Sequence, residues 1–157
     1  MRSVNGQGQW LTRAAVAFRS GHGKGYHLWK EFKSLPVISV APVRRPKLDE
    51  SGSDYSFEQE EELMKWKIRS VLRIAALHGH TNLCIGAFGV GPSFRNPVSR
   101  VAAMWRDILF TEAEFRGQFE NIVFAIEKPG GYSEKCSSDF DIFQEELQAS
   151  KIVPLHA

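Results

Sequence analysis

The chain has 157 residues, of which 43% are hydrophobic and 24% are charged, and its formal net charge is +2. This length suits one domain with a modest core. The small net charge predicts no strong overall field for nucleic acid or for a membrane surface. No apolar run reaches the roughly 18 residues that a membrane span needs, and the N-terminus has no stretch of signal-peptide length. We therefore expect an intracellular protein, cytoplasmic or nuclear.

The first elements expected along the chain are strands. Residues 14–18, AAVAF, form a short apolar run before a glycine-rich turn, which predicts a strand and then a loop. Residues 35–43, LPVISVAPV, are rich in β-branched residues. A continuous run of this kind suits a strand that is covered on both faces. The polar segment 44–56 predicts a solvated loop.

A long amphipathic helix is predicted over residues 57–78. Acidic residues crowd its start and basic residues follow, an order that is favourable for the helix macrodipole. Gly79 is expected to end the helix. The apolar stripe, at helical spacing, consists of Met64, Ile68, Val71, Leu72 and Ala75.

The second half of the chain alternates strands with helices. Asn96 is expected to cap a helix whose first residue is Pro97. The other expected elements are strands at 82–88 and 121–126, a last helix capped by Ser137 or Ser138, and a short strand or tail at 151–155. Cys84 lies in an apolar run and is expected to be buried. The order of elements predicts an α/β fold in which helices pack on a mixed sheet.

The glycine-rich turn, residues 86–97 (GAFGVGPSFRNP), separates a predicted strand from a predicted helix. In open α/β sheets, ligands bind beyond the carboxyl ends of the strands. Glycines let backbone N–H groups turn toward an anion, and a helix start adds partial positive charge. Arg95 and Arg100 add charge, while Phe88 and Phe94 offer flat faces to a sugar or base. The spacing is neither a Rossmann fingerprint nor a P-loop. A phosphate or diphosphate site and a tight turn that binds nothing both stay open.

Five blocks of the sequence stand in a specific order. They are VAFRSGHGKGY, LPVISVAPVRRPKLD, VLRIAALHGHTNLCIGAFGVG, FRNPVSRVAAMWRDIL and FENIVFAIEK. In wording, order and spacing they resemble the C-terminal part of the microbial-type poly(ADP-ribose) glycohydrolase family, a branch of the macrodomains. The resemblance implies a layered macrodomain-like fold, incomplete at its N-terminal side. Residues 14–157 would be a partial domain, and residues 1–13 are left unassigned.

The resemblance also implies a ligand. In that family, the glycine-rich turn wraps the diphosphate of ADP-ribose, and the aromatic residue of the Phe-Arg-Asn step packs on the terminal ribose. By resemblance, Phe94 would face the ribose, and ADP-ribose or poly(ADP-ribose) would be the partner. The turn here departs from many members because Pro92 and Ser93 lengthen it. The predicted ligand-binding residues are Gly89, Val90, Gly91, Ser93, Phe94 and Asn96.

Catalysis is not assigned to any residue. Glycohydrolases of the family share a run of glycines followed by Gln-Glu-Glu, which belongs upstream of the blocks matched here. The 13 residues before the match contain no carboxylate, and we expect the chain to be inactive alone. Two other Gln-Glu-Glu strings, at 59–61 and 144–146, follow no glycine run. We interpret the first as an acidic helix start and the second as a solvated helix face.

Three functions therefore remain as hypotheses. The chain is an incomplete version of a poly(ADP-ribose) glycohydrolase domain, a non-catalytic module that binds ADP-ribose or a nucleotide, or a truncated relic that needs a partner. An incomplete sheet would expose an edge, so self-association through that edge is expected. No membrane partner, no direct nucleic-acid binding, no metal and no cofactor are expected.

Overall fold

The computed structural model describes residues 2–5, 9–128 and 138–152. The elements are strands β1 (Arg2–Asn5), β2 (Gln9–Arg19), β3 (Leu28–Val40), β4 (Asn82–Ile85) and β5 (Asn121–Phe124), and helices α1 (Glu58–Leu77), α2 (Val98–Thr111) and α3 (Asp139–Glu146). The predicted cap Ser137, Cys136, and most of the predicted segment 151–155 lie outside the described residues. None of the described helices is both long and apolar enough to cross a bilayer.

The chain divides into two compact units, Met1–Val40 and Ala41–Ala157. The first unit is an antiparallel sheet of strand order β1-β2-β3. Strands β2 and β3 pair from Gln9↔Val40 to Arg19↔Leu28, with two shifts in register. A short 3-10 turn, His22–Lys24, connects them. The predicted strand at 14–18 is confirmed as the inner part of the longer strand β2.

The prediction of a strand covered on both faces at 35–43 is wrong in two respects. Strand β3 begins at Leu28 and is an edge strand within the described residues. Its side chains are exposed from Leu28 to Pro36. Pro36 lies opposite an irregularity of the β2–β3 ladder, where its missing N–H group breaks no regular pair.

The core of the second unit forms where the two long helices pack beside the parallel pair β4–β5. The predicted stripe of α1 is confirmed, because Met64, Ile68, Leu72 and Ala75 are buried and Val71 is partly buried. The matching face of α2 is also buried and contributes Val101, Ala102, Trp105 and Ile108. The Trp105 ring makes edge contacts with Phe88 and Phe124, at centroid distances of 6.1 and 5.5 Å. This cluster fixes the position at which β4 ends and the glycine-rich turn begins.

The end of α1 and the start of α3 agree with the predictions, whereas the start of α2 does not. Gly79, with φ +70°, directly follows the C-cap of α1. Ser138 caps α3 through a reciprocal capping box with Asp141. The predicted Asn96 cap of α2 is wrong, since the N-cap is Pro97 and no side chain caps this helix. The reason is that the side chain of Asn96 is bonded to two backbone carbonyls elsewhere.

Among the described residues, the core cluster covers one face of the sheet β4–β5. Leu83 and Ile85 contribute to the core, whereas Cys84 and Val123 are exposed. The prediction that Cys84 is buried is therefore wrong. Successive side chains of a strand point to opposite faces, so a residue between two inward-facing neighbours must face outward.

Candidate functional site

The glycine-rich turn leaves β4 and reaches α2 through a series of tight backbone turns. The N–H group of Val90 donates to the carbonyl of Ala87 at 3.1 Å. The N–H group of Arg95 donates to the carbonyl of Gly91 at 2.9 Å. Three residues adopt positive φ angles, Gly89 (+77°), Gly91 (+96°) and Arg95 (+59°). Glycine relieves the strain at the first two positions, whereas Arg95 is held in a conformation that residues with a Cβ atom rarely adopt.

Gly89 is closely surrounded, so a side chain there would press on its neighbours. A Cβ atom there would lie 2.6 Å from Met64 Cε and 3.1 Å from both Asn96 Nδ2 and Pro42 Cβ. These distances are shorter than van der Waals contacts allow. The predicted ligand residue Gly89 therefore anchors the turn to the core of the second unit.

Asn96 is the centre of a buried hydrogen-bond network, with only 3% of its surface exposed. Its Nδ2 atom donates to the carbonyls of Val43 and Gly89, at 2.8 Å each. Its Oδ1 atom accepts a hydrogen bond from the Tyr55 hydroxyl at 2.9 Å. The side chain thus ties together the turn, the segment after β3 and the loop before α1. Its polar atoms are satisfied within the chain, so the structure gives Asn96 a positioning role.

Tyr55 shares the buried environment of Asn96. Burial raises the pKa of the Tyr55 phenol well above its ordinary value, and the nearby Glu61 carboxylate raises it further. The phenol is therefore a neutral donor throughout the physiological range. A neutral donor is what the Asn96 carbonyl oxygen requires.

The outer part of the turn is open. A Cβ atom on Gly91 would meet nothing within 4 Å. Ser93 is exposed, while Val90 and Phe94 are half-buried. The backbone N–H groups of Gly91 and Ser93 donate to no acceptor within residues 2–5, 9–128 and 138–152. The structure thus brings together an open glycine, two free donors and an aromatic side chain, all from residues singled out in the sequence.

The arginines near the turn differ in availability. Arg95 is exposed, and its Nε atom donates to the carbonyl of Pro92 at 3.3 Å. Arg100 Nη2 donates to Glu61 Oε1 at 2.7 Å. Arg100 Nε lies 2.9 Å from Asp54 Oδ1 without the alignment of a hydrogen bond. The charge of Arg100 is already balanced by two carboxylates, which leaves Arg95 as the predicted cation that faces solvent.

Phe88 does not present the flat face that its place in the sequence suggested. Its ring is partly buried against the core, at the edge of Trp105. Phe94 is half-buried as well, but it is not among the residues that pack on this core cluster. Its carbonyl oxygen accepts a hydrogen bond from the N–H group of Arg45.

The segment 42–45 is part of the site and was missed by sequence reasoning. Pro42 contacts the Gly89 position, Val43 accepts a hydrogen bond from Asn96, and Arg45 bonds to Phe94. Arg45 has a positive φ of +51°, which holds this segment in a sharp turn. The sequence signals were that the apolar run PVISVAPV continues past the end of the strand and that the segment belongs to the block LPVISVAPVRRPKLD.

The two Gln-Glu-Glu strings are engaged in contacts within the chain. Glu60 Oε2 accepts a hydrogen bond from the N–H group of Lys47 at 2.9 Å. Glu61 pairs with Arg100 and with Lys65. In the second string, Glu146 pairs with Arg106 at 2.6 Å. These contacts agree with the interpretation of both strings as parts of helix surfaces.

A cavity of about 530 Å³ lies elsewhere in the second unit. It lies beside the end of α2 and strand β5, and its wall is mainly apolar. None of its lining residues belongs to the glycine-rich turn. The lining includes Phe110, Phe115, Phe119, Phe124 and Leu147. Sequence reasoning did not predict it.

The fold is similar to crystal structures of poly(ADP-ribose) glycohydrolases. The Deinococcus radiodurans enzyme in complex with ADP-ribose is 25% identical with a TM-score of 0.68, over 88% of this chain and 52% of that chain. Its apo form is 25% identical with a TM-score of 0.69, over 93% and 55% of the two chains. The Thermomonospora curvata enzyme is 25% identical with a TM-score of 0.69, over 88% and 47%.

These similarities confirm the predicted resemblance to the microbial poly(ADP-ribose) glycohydrolases and the macrodomain-like α/β fold. The chain spans about half the length of the solved chains that it matches. No family model and no curated protein matches it.

Proposed function

We propose that the chain binds ADP-ribose, with the diphosphate held by the outer part of the glycine-rich turn. The observation that carries the proposal is the open, positive-φ backbone at Gly91, beside the free N–H groups of Gly91 and Ser93. A solved structure of similar fold contains ADP-ribose, which supports this choice of ligand over other diphosphates.

The chemistry of a diphosphate suits these groups. Its oxygens are acceptors only, and successive backbone N–H groups that turn to one side form a small anion-binding concavity. The first turn of α2, which starts at Val98, adds N–H groups without intrahelical partners. Arg95 supplies an exposed cation. In this proposal, Val90 and Ser93 line the diphosphate, and Phe94 packs against the terminal ribose.

Gly89 and Asn96 act indirectly in this proposal. Gly89 packs against Met64, and Asn96 bonds to the carbonyl of Gly89. Both hold the turn in its open shape before a ligand arrives. Such preorganisation lowers the ordering cost of binding.

The test compares two glycines by calorimetric titration of ADP-ribose. Gly91→Val adds a branched side chain where the diphosphate would approach, and the affinity should fall at least tenfold, or about 1.4 kcal/mol. Gly117→Val is the matched control, because Gly117 also has a positive φ (+73°) and open space around it. The backbone strain in this variant is comparable, but residue 117 lies outside the turn. The variant should therefore bind ADP-ribose as the wild type does.

The ligand series provides a second criterion. ADP should retain most of the affinity, and AMP should bind at least tenfold more weakly, because it lacks the second phosphate. Equal affinities for ADP-ribose in the wild type and in folded Gly91→Val would overturn the assignment of the turn. So would equal affinities for ADP and AMP.

A further inference from the structure

The first unit differs in charge from the rest of the chain. Residues 1–40 contain six lysines and arginines and one glutamate, which gives a formal charge of +5. The remaining residues contain 14 basic and 17 acidic residues, which gives −3. The net charge of +2 for the whole chain hides this asymmetry. A strongly basic segment beside an acidic one is typical of a polyanion-binding surface.

The basic residues lie on an exposed antiparallel ribbon, which consists of β2, β3 and the turn 20–27 between them. Arg19, Lys24 and Lys30 are exposed and form no ion pair with any described residue. Lys33 Nζ lies 4.0 Å from Glu31 Oε2, an exposed and weak contact. The ribbon therefore keeps most of its positive charge available.

Exposed aromatic rings accompany these cations. The exposed fractions are 46% for Phe18, 56% for Tyr26, 39% for Trp29 and 66% for Phe32. Phe18 and Phe32 meet edge to face across the two strands, at 6.3 Å between ring centroids. Large aromatic surfaces are seldom left in water without a partner. Flat rings beside cations form the platform on which proteins stack unpaired bases.

The order of residues narrows the class of partner. Three aromatic residues are each followed by a cation, as Phe18-Arg19, Trp29-Lys30 and Phe32-Lys33. The Arg19 guanidinium lies 5.6 Å from the centroid of the Phe18 ring. One shallow hollow of about 380 Å³ is lined by Trp29, Lys30, Glu31 and Lys33, so two cations and one carboxylate face it. Single-stranded nucleic acid presents an unpaired base and a phosphate in each nucleotide, which matches a ribbon that carries both exposed rings and available cations. Poly(ADP-ribose) carries two phosphates for each base, so it offers fewer bases to the rings for the same charge.

We infer that the basic ribbon binds single-stranded nucleic acid, through stacking on its aromatic rings and through phosphate contacts to Arg19, Lys30 and Lys33. The expectation of no nucleic-acid partner rested on the net charge of the whole chain. The distribution of charge points the other way. This site lies in the first unit and is independent of the ADP-ribose proposal.

The experiment is fluorescence anisotropy of a labelled oligothymidylate of about twelve nucleotides, within the site sizes of single-strand-binding modules, titrated with the full chain at several salt concentrations. Trp29→Ala and Phe32→Ala should each weaken binding at least about fivefold, since stacking contributes about 1 to 3 kcal/mol per base. Trp29→Phe keeps a stacking face and should retain most of the affinity. Lys30→Gln should lower the slope of log affinity against log salt by about 0.7, the value for one phosphate contact to a single strand.

The matched control is Lys67→Gln, which removes the same charge from α1 in the second unit. It should leave both affinity and salt slope unchanged. No binding at low salt, about 50 mM, would overturn the inference, and so would an equal effect of Lys67→Gln and Lys30→Gln. Tighter binding of labelled poly(ADP-ribose), with the same dependence on Trp29 and Lys30, would also overturn the assigned partner. The two aromatic positions are exposed, so circular dichroism should show that each variant is folded.

Discussion

Two glycines of the turn, separated by a single residue, carry different constraints. At Gly89 a side chain would collide with fully buried Met64 and with Pro42, whereas at Gly91 it would meet open space. Both have positive φ angles. The sequence places them in the same GxxGxG pattern and cannot separate them. The packing around each one shows that a side chain at position 89 would press into the core, whereas one at position 91 would point into open space.

This difference predicts unequal losses of stability. Gly91→Ala should lower the free energy of unfolding by about 1 to 2 kcal/mol, from backbone strain alone. Gly89→Ala adds overpacking of the core and should cost about 2 to 4 kcal/mol. Urea denaturation of both variants measures the two values. Equal losses would mean that the core around Gly89 can relax.

The Tyr55 phenol predicts a pH dependence at the alkaline end. Burial raises its pKa in the folded chain above the value of about 10 for an unfolded tyrosine. A raised folded pKa means that the unfolded chain loses its proton first. The stability contributed by the neutral phenol is therefore complete below about pH 10 and is lost as the pH rises toward the folded pKa.

Tyr55→Phe removes this contribution. It should cost about 1 kcal/mol near neutral pH, through the lost hydrogen bond to Asn96. The variant should also lose less stability than the wild type as the pH rises through about 10, the unfolded pKa of tyrosine. Denaturant titrations of both proteins across this pH range test the expected difference in stability. The lysines that titrate there are common to both proteins, so their effect cancels in the comparison. Parallel curves for the two proteins would contradict the assigned burial.

At the scale of elements, strand β3 predicts self-association. It is a long edge strand of the described sheet, and Leu28, Phe32 and Leu35 on it are exposed. A strand edge of this kind is a template for pairing with another chain. The charge of the first unit opposes the approach of a second copy, so association should increase with salt.

Light scattering at micromolar concentration should detect the associated species. Leu35→Lys places a charge on the exposed face and should shift the chain toward the monomer. Val123→Lys is a control of the same chemistry on the exposed face of β5. A monodisperse monomer at every salt concentration, or equal effects of the two variants, would contradict pairing through β3.

The helices were predictable from sequence because their periodicity is local. The stripe of α1 and the Ser138 cap of α3 depend on residues within a few positions of one another. The start of strand β3 was predicted too late because residues 28–32, LWKEF, have no clear alternation of apolar and polar residues. The Asn96 network was missed for another reason. Its partners Val43 and Tyr55 lie 53 and 41 residues away in the chain, and no local pattern reports such contacts.

At the scale of the whole molecule, similarity to solved structures supports the fold, whereas the contacts of the two Gln-Glu-Glu strings do not support catalysis. The chain matches solved glycohydrolases over about half of their length. The described part contains the open turn at which we propose that a diphosphate binds. The two Gln-Glu-Glu strings, by contrast, are held in contacts that a general acid would have to break. Glu61 pairs with Arg100, and Glu146 pairs with Arg106. Each of these carboxylates is already engaged by an arginine of the chain, whereas an acid catalyst must be positioned to donate a proton to the ribosyl bond.

We therefore expect the 157-residue chain to bind ADP-ribose without releasing it from poly(ADP-ribose). The measurement is chromatographic detection of free ADP-ribose after incubation with the polymer, with binding of ADP-ribose recorded on the same preparation. Steady release that is abolished by Glu61→Gln and unaffected by Glu146→Gln would show that the first string is catalytic despite its ion pairs. Release that survives both substitutions would place the acid elsewhere in the chain. Binding without release is the expected result, because a diphosphate site needs only donors and positive charge, whereas cleavage of the ribosyl bond needs a positioned proton.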